Sequence, residues 1–471
     1  MLNPINRRTA LVFAATLLCA DVLAQQPVIP GAAGFGTQTP AGRGGEIIRV
    51  TTLKDGGPGS LRACVTASGP RICVFEVSGT IRLKGFLTVS KPFVTIAGQT
   101  APAPGIMLRG APLVISASDV LVQHLAVRAG DDPGGPPAHT RDALKINKNS
   151  SNVVIDHCSF SWGLDENIET FKEWDNVTIS NTIIAEAIAD AREGKRGHAY
   201  GALIHSTSDK SRISFIRNLF AHNDARNPRS NAAEFVFVNN VIYNPGDAAI
   251  MLFNNGGITS DNSIIGNVFI DGRNTSKSAM PVRLNGAGVG EGGTNEILAG
   301  TRLYLADNVA SSATGDPWSI VDNQSPIKLS SIQLFSAPAL PAGLEALSTQ
   351  GDIVLDHVLK NAGSRPGQRN SVDASVVSSV KAGTGKIPNC VSDDGTSRCV
   401  DNAGGWPTLA KNLRELDVPN DPNGDDDNDG YTNAEEWLHG MAAEVEGRST
   451  FNQPSQPAAG LSPPKPPRLQ E

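Results

Sequence analysis

The middle of the sequence repeats a short apolar run that carries His or Asn at its third place. Between about residues 80 and 310 the runs are VQHLAV, IDHCSF, ISNTII, IRNLFA, VNNVIY, IGNVFI and ADNVAS. The third places are His124, His157, Asn181, Asn218, Asn240, Asn267 and Asn308. The shortest intervals, 22 to 27 residues, fit one coil of a solenoid of parallel strands. The repeat predicts an all-β parallel β-helix, in which the longer intervals contain inserted loops.

Equivalent residues on successive coils lie about 4.8 Å apart, so side-chain amides can hydrogen-bond along a column. We therefore interpret the repeated His and Asn residues as a structural ladder rather than as ligands or catalytic groups. Asp165 follows His157 by eight residues, and Arg226 follows Asn218 by eight. Because equal offsets leave the coil on the same side, Asp165 and Arg226 are expected on one face, about 10 Å apart.

Two long intervals of the repeat bring charged loops to that face. The first interval contains Asp142, and the second contains Lys195, Arg196 and His198. Asp142, with the acidic group in WGLDENIETF, supplies hard oxygen ligands that suit Ca²⁺ rather than zinc. A solvated acidic turn is the alternative interpretation of the same residues.

Charge and the first residues restrict the class of protein. The net charge of -7 and the pI near 5.7 argue against a general nucleic-acid binder. Residues 1–24 place Arg7 and Arg8 before an apolar run and end in VLA, the pattern of a signal peptide. That run is too short to span a bilayer. We therefore expect a secreted protein, extracellular or periplasmic, with no membrane partner.

Export makes the remaining cysteines candidates for disulfide bonds. Cys64 with Cys73 and Cys390 with Cys399 would each close a short local loop. Cys158 lies in an apolar strand pattern and is predicted to be a buried free thiol. The segment SLRACV is predicted to begin a short helix that covers the open end of the solenoid.

Six segments in a fixed order carry a family resemblance. They are GFGTQT with GRGG, GPGSLR, VFEVSGTI, TIAGQTAPAPGI, SSNVVIDHCSFSWGLDEN and RNLFAHNDARNPR. Together they resemble the Ca²⁺-dependent pectate lyases over about residues 33 to 310, and more diffusely to about 410. The resemblance implies a right-handed parallel β-helix and a secreted enzyme. Such an enzyme cleaves α-1,4-linked polygalacturonate by β-elimination, with Ca²⁺ as its cofactor.

The resemblance also assigns roles residue by residue. It places the family's Ca²⁺-binding acids on Asp142, Asp165 and Glu169. It makes Arg226, two residues before Pro228, the base that removes a proton. A salt bridge to Asp224 or an anion clamp is the structural alternative for Arg226.

Two substrate-binding residues of the family pattern have no match at the corresponding positions of this sequence. The family's second arginine falls on Asn231, so Arg229 is assigned to substrate binding. The family's carboxylate-binding lysine has no ungapped counterpart. Lys195 is the preferred replacement for this lysine, and Arg196 and His198 are the next candidates.

Two other functions are compatible with a solenoid. A polygalacturonan hydrolase would use paired aspartates, and Asp131 with Asp132 is the one adjacent pair in this region. A non-catalytic carbohydrate-binding protein would need aromatic platforms, and only 5% of the residues are aromatic, although Trp162 and Tyr200 lie near the proposed site. For an elimination by Arg226 we expect an alkaline rate optimum, because a guanidinium is a poor base at neutral pH. The expected partner is polygalacturonate, with no nucleic acid, and the expected state is a monomer.

The C-terminal sequence DDDNDGYTNAEE has the spacing of an EF-hand Ca²⁺ loop. Its ligand positions are Asp425, Asp427, Asp429, Tyr431, Asn433 and Glu436. No clear helix precedes the loop, and the helix after it is expected to stop at Gly440. An acidic linker is the alternative. The predicted organisation is a signal peptide at 1–24, the β-helix at 25–410, the Ca²⁺-binding segment at 411–445 and a Pro-rich disordered tail at 446–471.

Overall fold

The computed structural model describes residues 26–189, 198–254, 257–286, 296–338, 340–341, 343–344, 350–390 and 399–448. The predicted signal peptide, Lys195, Arg196 and the tail beyond residue 448 lie outside these ranges. Among the helices in these ranges, none is long and apolar enough to cross a membrane.

The chain forms a parallel β-helix whose coils stack three parallel sheets. The first sheet contains β1 (Glu46–Val50), β2 (Arg71–Phe75), β5 (Val94–Ala97), β8 (Val120–Gln123), β11 (Ser150–Asp156), β14 (Trp174–Ser180), β17 (Arg212–Ile216), β20 (Glu234–Val238), β23 (Asp261–Ile265), β26 (Arg302–Ala306) and β29 (Gln333–Leu334). The second contains β3 (Gly79–Arg82), β6 (Ile106–Arg109), β9 (Leu125–Arg128), β12 (Ser159–Ser161), β15 (Ile183–Ala185), β18 (Leu219–Ala221), β21 (Val241–Tyr243), β24 (Val268–Ile270) and β27 (Val309–Ala310). The third contains β4 (Leu87–Val89), β7 (Leu113–Ile115), β10 (Leu144–Ile146), β13 (Glu166–Thr170), β16 (Tyr200–Ile204), β19 (Arg229–Ser230), β22 (Ile250–Leu252), β25 (Val282–Leu284) and β28 (Val321–Asn323).

The interior of the coils is a continuous apolar core. Successive side chains of a strand alternate between the two faces of its sheet, so the β-branched and aromatic residues of each run face inward. Phe215 and Phe220 of one coil pack against each other and against Phe237 of the next coil, with ring centroids 5.8 to 5.9 Å apart. Full burial of each such side chain contributes roughly 1.5–3 kcal/mol to folding. The predicted all-β parallel β-helix is confirmed.

The asparagine ladder lies at the turn from the first sheet to the second. Each Nδ2 donates to the Oδ1 of the next coil, at 2.9 Å from Asn218 to Asn240, 3.1 Å from Asn240 to Asn267 and 2.9 Å from Asn267 to Asn308. This part of the predicted ladder is confirmed.

The ladder does not continue through His124, His157 and Asn181, and that part of the prediction is wrong. Thr182 takes the ladder place instead, since its backbone NH donates to Asn218 Oδ1 at 3.0 Å. The three residues form the neighbouring column, where each has a positive φ between 47° and 57°. Asn and His are both common at such left-handed turn positions. The sequence pattern therefore did not distinguish this column from the neighbouring asparagine ladder.

The first coils of the solenoid are covered by a short helix, as expected. Helix α1 (Leu61–Thr66) begins at Ser60, whose side chain accepts a hydrogen bond from the backbone of Ala63. The Cys64 to Cys73 disulfide joins α1 to β2. A second disulfide joins Cys390 to Cys399, which begins the short helix α4 (Cys399–Asn402). Both predicted pairs are confirmed, and Cys158 is a buried free thiol.

Two helices that the sequence did not predict cover the outer face of the second sheet. They are α2 (Gly351–Asn361) and α3 (Ser371–Ala382), whose valines pack on Leu219, Val241 and Tyr243. Short 3-10 turns occur at Gly98–Thr100, Ala138–Thr140, Pro317–Ile320, Leu329–Ser331 and Pro366–Gln368.

The C-terminal helix α5 (Asn433–Glu446) is longer than predicted. The helix has 14 residues and continues through Gly440. It ends at Gly447, which has a left-handed conformation. A helical glycine costs about 1 kcal/mol relative to alanine, and the packing of the following turns outweighs this cost. Leu438 packs on Ile72 and Val74 of the first sheet, so α5 is part of the same folded body.

Candidate active site

The candidate residues lie on the outer face of the third sheet. The register of its strands aligns Lys145 with Glu169, Glu169 with Leu203 and Leu203 with Arg229. Glu166 aligns with Tyr200, which in turn forms a bridge with Ala225. Strand pairing therefore brings an acidic group and an arginine group side by side on one surface. The offsets predict this shared surface, but their register is not exact, because His157 and Asn218 lie in different columns and Glu166 aligns through Tyr200 with Ala225.

Arg226 occupies a turn that a buried amide network fixes. Its φ is 55°, in the left-handed region that few non-glycine residues adopt, and the next peptide, Asn227 to Pro228, is cis. Below the turn, Asn167 donates to Asn223 at 3.1 Å, and Asn223 donates to Asn227 at 3.0 Å. These amides satisfy each other away from water and hold the turn in place.

The backbone of β16, on the preceding coil, also supports this turn. The backbone NH of Ala202 donates to the carbonyl oxygen of Arg226 at 2.6 Å. At Gly201 an added Cβ would lie 2.7 Å from that same oxygen, so a glycine is needed where the two strands approach.

The guanidinium of Arg226 lies between a carboxylate and an aromatic ring. Its Nη1 pairs with Glu166 Oε1, and its Cζ lies 4.0 Å above the centroid of the Tyr200 ring. Its side chain is 18% exposed, whereas that of Glu166 is 2% exposed. Arg226 is thus held in place while one edge reaches the surface. The ion pair involves Glu166 rather than the Asp224 of the structural alternative.

Arg229 lies beside Arg226 and is buried over the ring of Phe253, 4.1 Å from its centroid. Burial, and after it the charge of Arg226, lowers its pKa to about 10. Among the described residues its Nε and Nη2 have no hydrogen-bond partner, although the residue is only 8% exposed. Buried donors of this kind are costly, and an anion is the natural partner for them.

A lysine lies inside the acidic group. Lys145 Nζ pairs with Asp142 Oδ2 and lies 2.5 Å from Glu169 Oε2. The other oxygen of Asp142 accepts the backbone NH of Glu166 at 3.0 Å. Burial acts to lower the pKa of Lys145, but Asp142 and Glu169 outweigh it and raise that pKa overall. The ammonium therefore stays charged and links the two acids.

The acidic group carries more negative than positive charge. Four carboxylates, of Asp142, Asp165, Glu166 and Glu169, face three cations, Lys145, Arg226 and Arg229, which leaves an excess of one negative charge. Burial, only partly offset by Arg226, raises the pKa of Glu166 well above its usual range. Burial and the charge of Asp142 raise the pKa of Glu169. Excess buried charge of this kind favours an added cation or an added proton.

The acids fit a hard divalent cation by charge and by donor type. Asp165, Glu166 and His198 form a set whose ligand atoms all lie within 4.8 Å of one another. His198 Nδ1 lies 2.8 Å from Asp165 Oδ1, and its ring packs on Tyr200. Carboxylate oxygens are the donors that Ca²⁺ prefers. Of the predicted ligands, Asp165 belongs to this set, while Asp142 and Glu169 are bridged by Lys145.

The structure assigns definite contacts to other predicted residues. The side chain of Asn231 accepts from the backbone NH of Ser206 at 2.7 Å and donates to its carbonyl at 2.9 Å, so it holds a turn. The indole of Trp162 is fully buried and donates to Glu186 at 3.1 Å, which makes it unsuitable as a sugar platform.

The adjacent aspartates of the hydrolase alternative have structural partners. Asp132 pairs with Arg109, and Asp131 accepts the backbone NH of Cys399. Sequence reasoning missed Lys145 and the partner role of Glu166. The strand register aligns Lys145 with Glu169. A correct register would therefore have indicated the contact between these two residues.

The C-terminal loop brings Asp425, Asp427 and Asp429 together, with ligand atoms within 4.8 Å. The backbone NH groups of Gly430 and Tyr431 donate to Asp425 and Asp429 at 3.1 and 2.9 Å. Asn433 begins α5, with Thr432 as its N-cap. Burial and four neighbouring aspartates raise the pKa of Glu436. The Ca²⁺ loop stays a prediction.

Comparison with known proteins identifies relatives that are similar in sequence. No protein-family model matches it. A probable pectate lyase C of Aspergillus flavus is 33% identical over 429 residues, which cover 88% of this chain and 93% of that protein. A probable pectate lyase C of Aspergillus terreus is 39% identical over 272 residues, covering 57% of this chain and 60% of the relative.

The fold has a relative among solved structures. The crystal structure of jun a 1, the major allergen from cedar pollen, matches with a TM-score of 0.52 at 20% identity, over 70% of this chain and 92% of that one. This match supports the fold alone. The sequence match to the Aspergillus flavus protein covers most of both chains. On that ground the protein belongs to the pectate lyase family of polysaccharide lyases.

Proposed function

We propose that the protein cleaves α-1,4-linked polygalacturonate by β-elimination, with Arg226 as the base. The observation that supports this role most directly is the placement of its guanidinium. It is fixed by Glu166 and the Tyr200 ring, is partly exposed, and lies beside the unpartnered donors of Arg229. A base must be positioned before its reactivity matters, and this turn provides that positioning.

The elimination needs a base on one side of the sugar and cations near its carboxylate. The base removes the C5 proton, the C4–C5 double bond forms, and the electron pair of the broken C4–O bond leaves on the glycosidic oxygen. Negative charge builds up on the C5 carboxylate during this step, and cations around that group stabilise it. We assign this contact to Arg229, because its buried Nε and Nη2 have no hydrogen-bond partner among the residues that the structure describes.

We further propose Ca²⁺ as the cofactor, held by Asp142, Asp165 and Glu169. When bound, the ion would offset the charge of the substrate carboxylate. The excess of carboxylates over cations supports this assignment. His198, which pairs with Asp165, is proposed to orient that acid, whereas the substrate roles of Lys195 and Arg196 stay predictions. Secretion and a monomeric state are also proposed.

Ultraviolet absorbance of unsaturated products tests the reaction directly. The protein is incubated with polygalacturonate and Ca²⁺ at increasing pH, and the expected rate rises toward alkaline pH because only a neutral guanidine accepts a proton. Arg226→Lys is expected to lower the rate by about a hundredfold or more. Arg302→Lys is the matched control, because Arg302 is exposed on the first sheet.

The outcomes separate the three candidate functions. Full activity of Arg226→Lys at high pH would remove the proposed base. New reducing ends without absorbance would indicate a hydrolase. Binding of the polymer with neither signal would indicate a carbohydrate-binding solenoid.

A further inference from the structure

A third group of side chains that could hold a metal ion lies where the end of α5 meets the solenoid, away from the third sheet. His124 and His157 occupy the same column of left-handed turns, with ring centroids 5.2 Å apart and planes 13° from parallel. Glu446, at the end of α5, approaches both rings. The ligand atoms of these three residues lie within 4.8 Å of one another.

Hydrogen bonds fix which nitrogen of each ring carries the proton. His124 Nδ1 lies 2.9 Å from the carbonyl oxygen of Ser364, which can only accept, so Nδ1 is the donor. His157 Nδ1 lies 2.7 Å from Asp156 Oδ2, and a carboxylate likewise accepts. In the neutral rings both Nε2 atoms therefore present lone pairs toward Glu446. A carboxylate or carbonyl behind a histidine is the usual arrangement around a metal ligand.

One of these nitrogens has no hydrogen bond among the described residues. His124 is fully buried, and its Nε2 has no hydrogen bond within the part of the chain that the structure describes. It lies 3.6 Å from Glu446 Oε1, beyond hydrogen-bond length, and His157 Nε2 lies 3.7 Å from Glu446 Oε2. A tetrahedral ion with bonds of about 2.0 Å separates its ligand atoms by about 3.3 Å. Small side-chain movements would bring the three atoms to that spacing.

Other charged groups face the cluster and define a competing arrangement. Arg448 donates to Glu446 Oε2 at 2.6 Å, and Arg217 and His357 line the same cavity of about 230 Å³ with His157 and Glu446. Arg448 uses one oxygen of Glu446 and leaves Oε1 toward His124. A protonated His157 between Asp156 and Glu446 would make an ion pair, and a protonated His124 would pair with Glu446 Oε1 at 3.6 Å, but the second pair requires a charge on a fully buried ring. A bound metal ion explains both nitrogens together.

We propose that His124, His157 and Glu446 bind a Zn²⁺ ion that fastens the C-terminal helix to the solenoid. Two imidazoles and one carboxylate are a common protein ligand set for Zn²⁺, and the adjacent cavity has room for water as the fourth ligand. This site uses no residue of the proposed catalytic surface. The expected effect of the ion is on the attachment of α5 rather than on the elimination.

Metal content and cobalt spectroscopy test the site on the full, untagged chain. The protein is stripped with a chelator, dialysed, saturated with Ca²⁺ to occupy oxygen-ligand sites, and titrated with Zn²⁺. We expect one Zn²⁺ per chain by mass spectrometry of the metal and a rise in Tm. With Co²⁺ in place of Zn²⁺ we expect the intense visible absorption of a tetrahedral site.

Matched variants locate the ion. Glu446→Gln and His157→Gln keep side-chain size and are expected to weaken Zn²⁺ binding by about tenfold or more. His139→Gln, at an exposed histidine, should bind as the wild type does. Lyase activity retained by each variant shows that it is folded. The proposal is overturned if the wild type binds no Zn²⁺, if all variants bind it equally, or if Co²⁺ gives only an octahedral spectrum; the cluster is then an ion pair.

Discussion

Lys145 neutralises part of the acidic group of the candidate active site. Its ammonium contacts Asp142 and Glu169, two of the three acids to which the resemblance assigns Ca²⁺. A lysine and a divalent ion cannot both occupy the space between two carboxylates. Ca²⁺ binding at these acids therefore requires the ammonium to move away.

Removing that ammonium is expected to strengthen Ca²⁺ binding. Lys145→Gln deletes the competing charge and is predicted to raise Ca²⁺ affinity by about tenfold, or about 1.4 kcal/mol. Calorimetric titration of the stripped protein measures this change. Lys148→Gln, at an exposed lysine three residues away, should leave the affinity unchanged. Equal or weaker Ca²⁺ binding by Lys145→Gln would show that Asp142 and Glu169 are not metal ligands.

Glu186 gives a pH dependence of stability that one substitution can remove. Burial raises its pKa to about 7, while the Trp162 indole that donates to it opposes this rise. Folded Glu186 keeps a proton that the unfolded chain releases above about pH 4.5, so its stabilising effect is complete below that pH. The effect declines as pH rises through 7, by about 3 kcal/mol in total.

Denaturant unfolding at pH 4.5 and pH 8 measures this effect. Glu186→Gln keeps the acceptor for Trp162 and is expected to remove the pH-dependent loss. Glu173→Gln, at an exposed glutamate, should retain it. The same slope in wild type and Glu186→Gln would mean that Glu186 is ionised in the folded protein at neutral pH.

Part of the catalytic surface could be predicted at the residue scale. Arg226 and Asp165 could be placed on one face from their offsets in the repeat, because a solenoid turns sequence distance into direction, whereas Glu169 was assigned by the family resemblance. Lys145 and Glu166 could not be assigned, since their roles depend on which strand residues align. The ladder prediction was one residue out in register at His157, which shows how little sequence pattern separates adjacent columns.

At the scale of elements, α3 is attached through a buried acid. Asp373 is fully buried and accepts from Arg128 at 2.6 Å and from Ser159 at 2.7 Å. The sequence beyond residue 310 gave no sign of this helix. Its short apolar stripe is meaningful only against the valines and aromatics of the second sheet, and a contact of such long range is not visible in a local pattern.

Asp373→Ala is predicted to destabilise the protein by about 3–5 kcal/mol, because it leaves the buried guanidinium of Arg128 without its counter-charge. Urea unfolding measures the loss. Asp352→Ala removes an exposed aspartate from α2 and is expected to change stability by less than about 0.5 kcal/mol. Similar losses for the two variants would mean that the Arg128 pair contributes little.

For the whole molecule, the two predicted calcium sites lie on different parts of the fold. The acidic group on the third sheet lies beside Arg226, whereas the loop of Asp425, Asp427 and Asp429 precedes α5, which packs on the first sheet. An ion at the loop would bind the folded chain and stabilise it by mass action. At a hundredfold excess over the Kd this amounts to about 2.7 kcal/mol. An ion at the acidic group would act on the reaction itself.

Asp427→Asn should therefore uncouple stability from catalysis. Calorimetry with Ca²⁺ and with a chelator is expected to show a smaller Ca²⁺-dependent rise in Tm for this variant, because one hard ligand loses its charge. Its elimination rate in saturating Ca²⁺ at a temperature below both unfolding transitions should equal that of the wild type. Asp417→Asn, at an exposed aspartate outside the loop, should retain both properties. If Asp427→Asn instead lowers the rate as strongly as chelation does, the loop supplies the calcium that catalysis needs, and the assignment to Asp142, Asp165 and Glu169 is wrong.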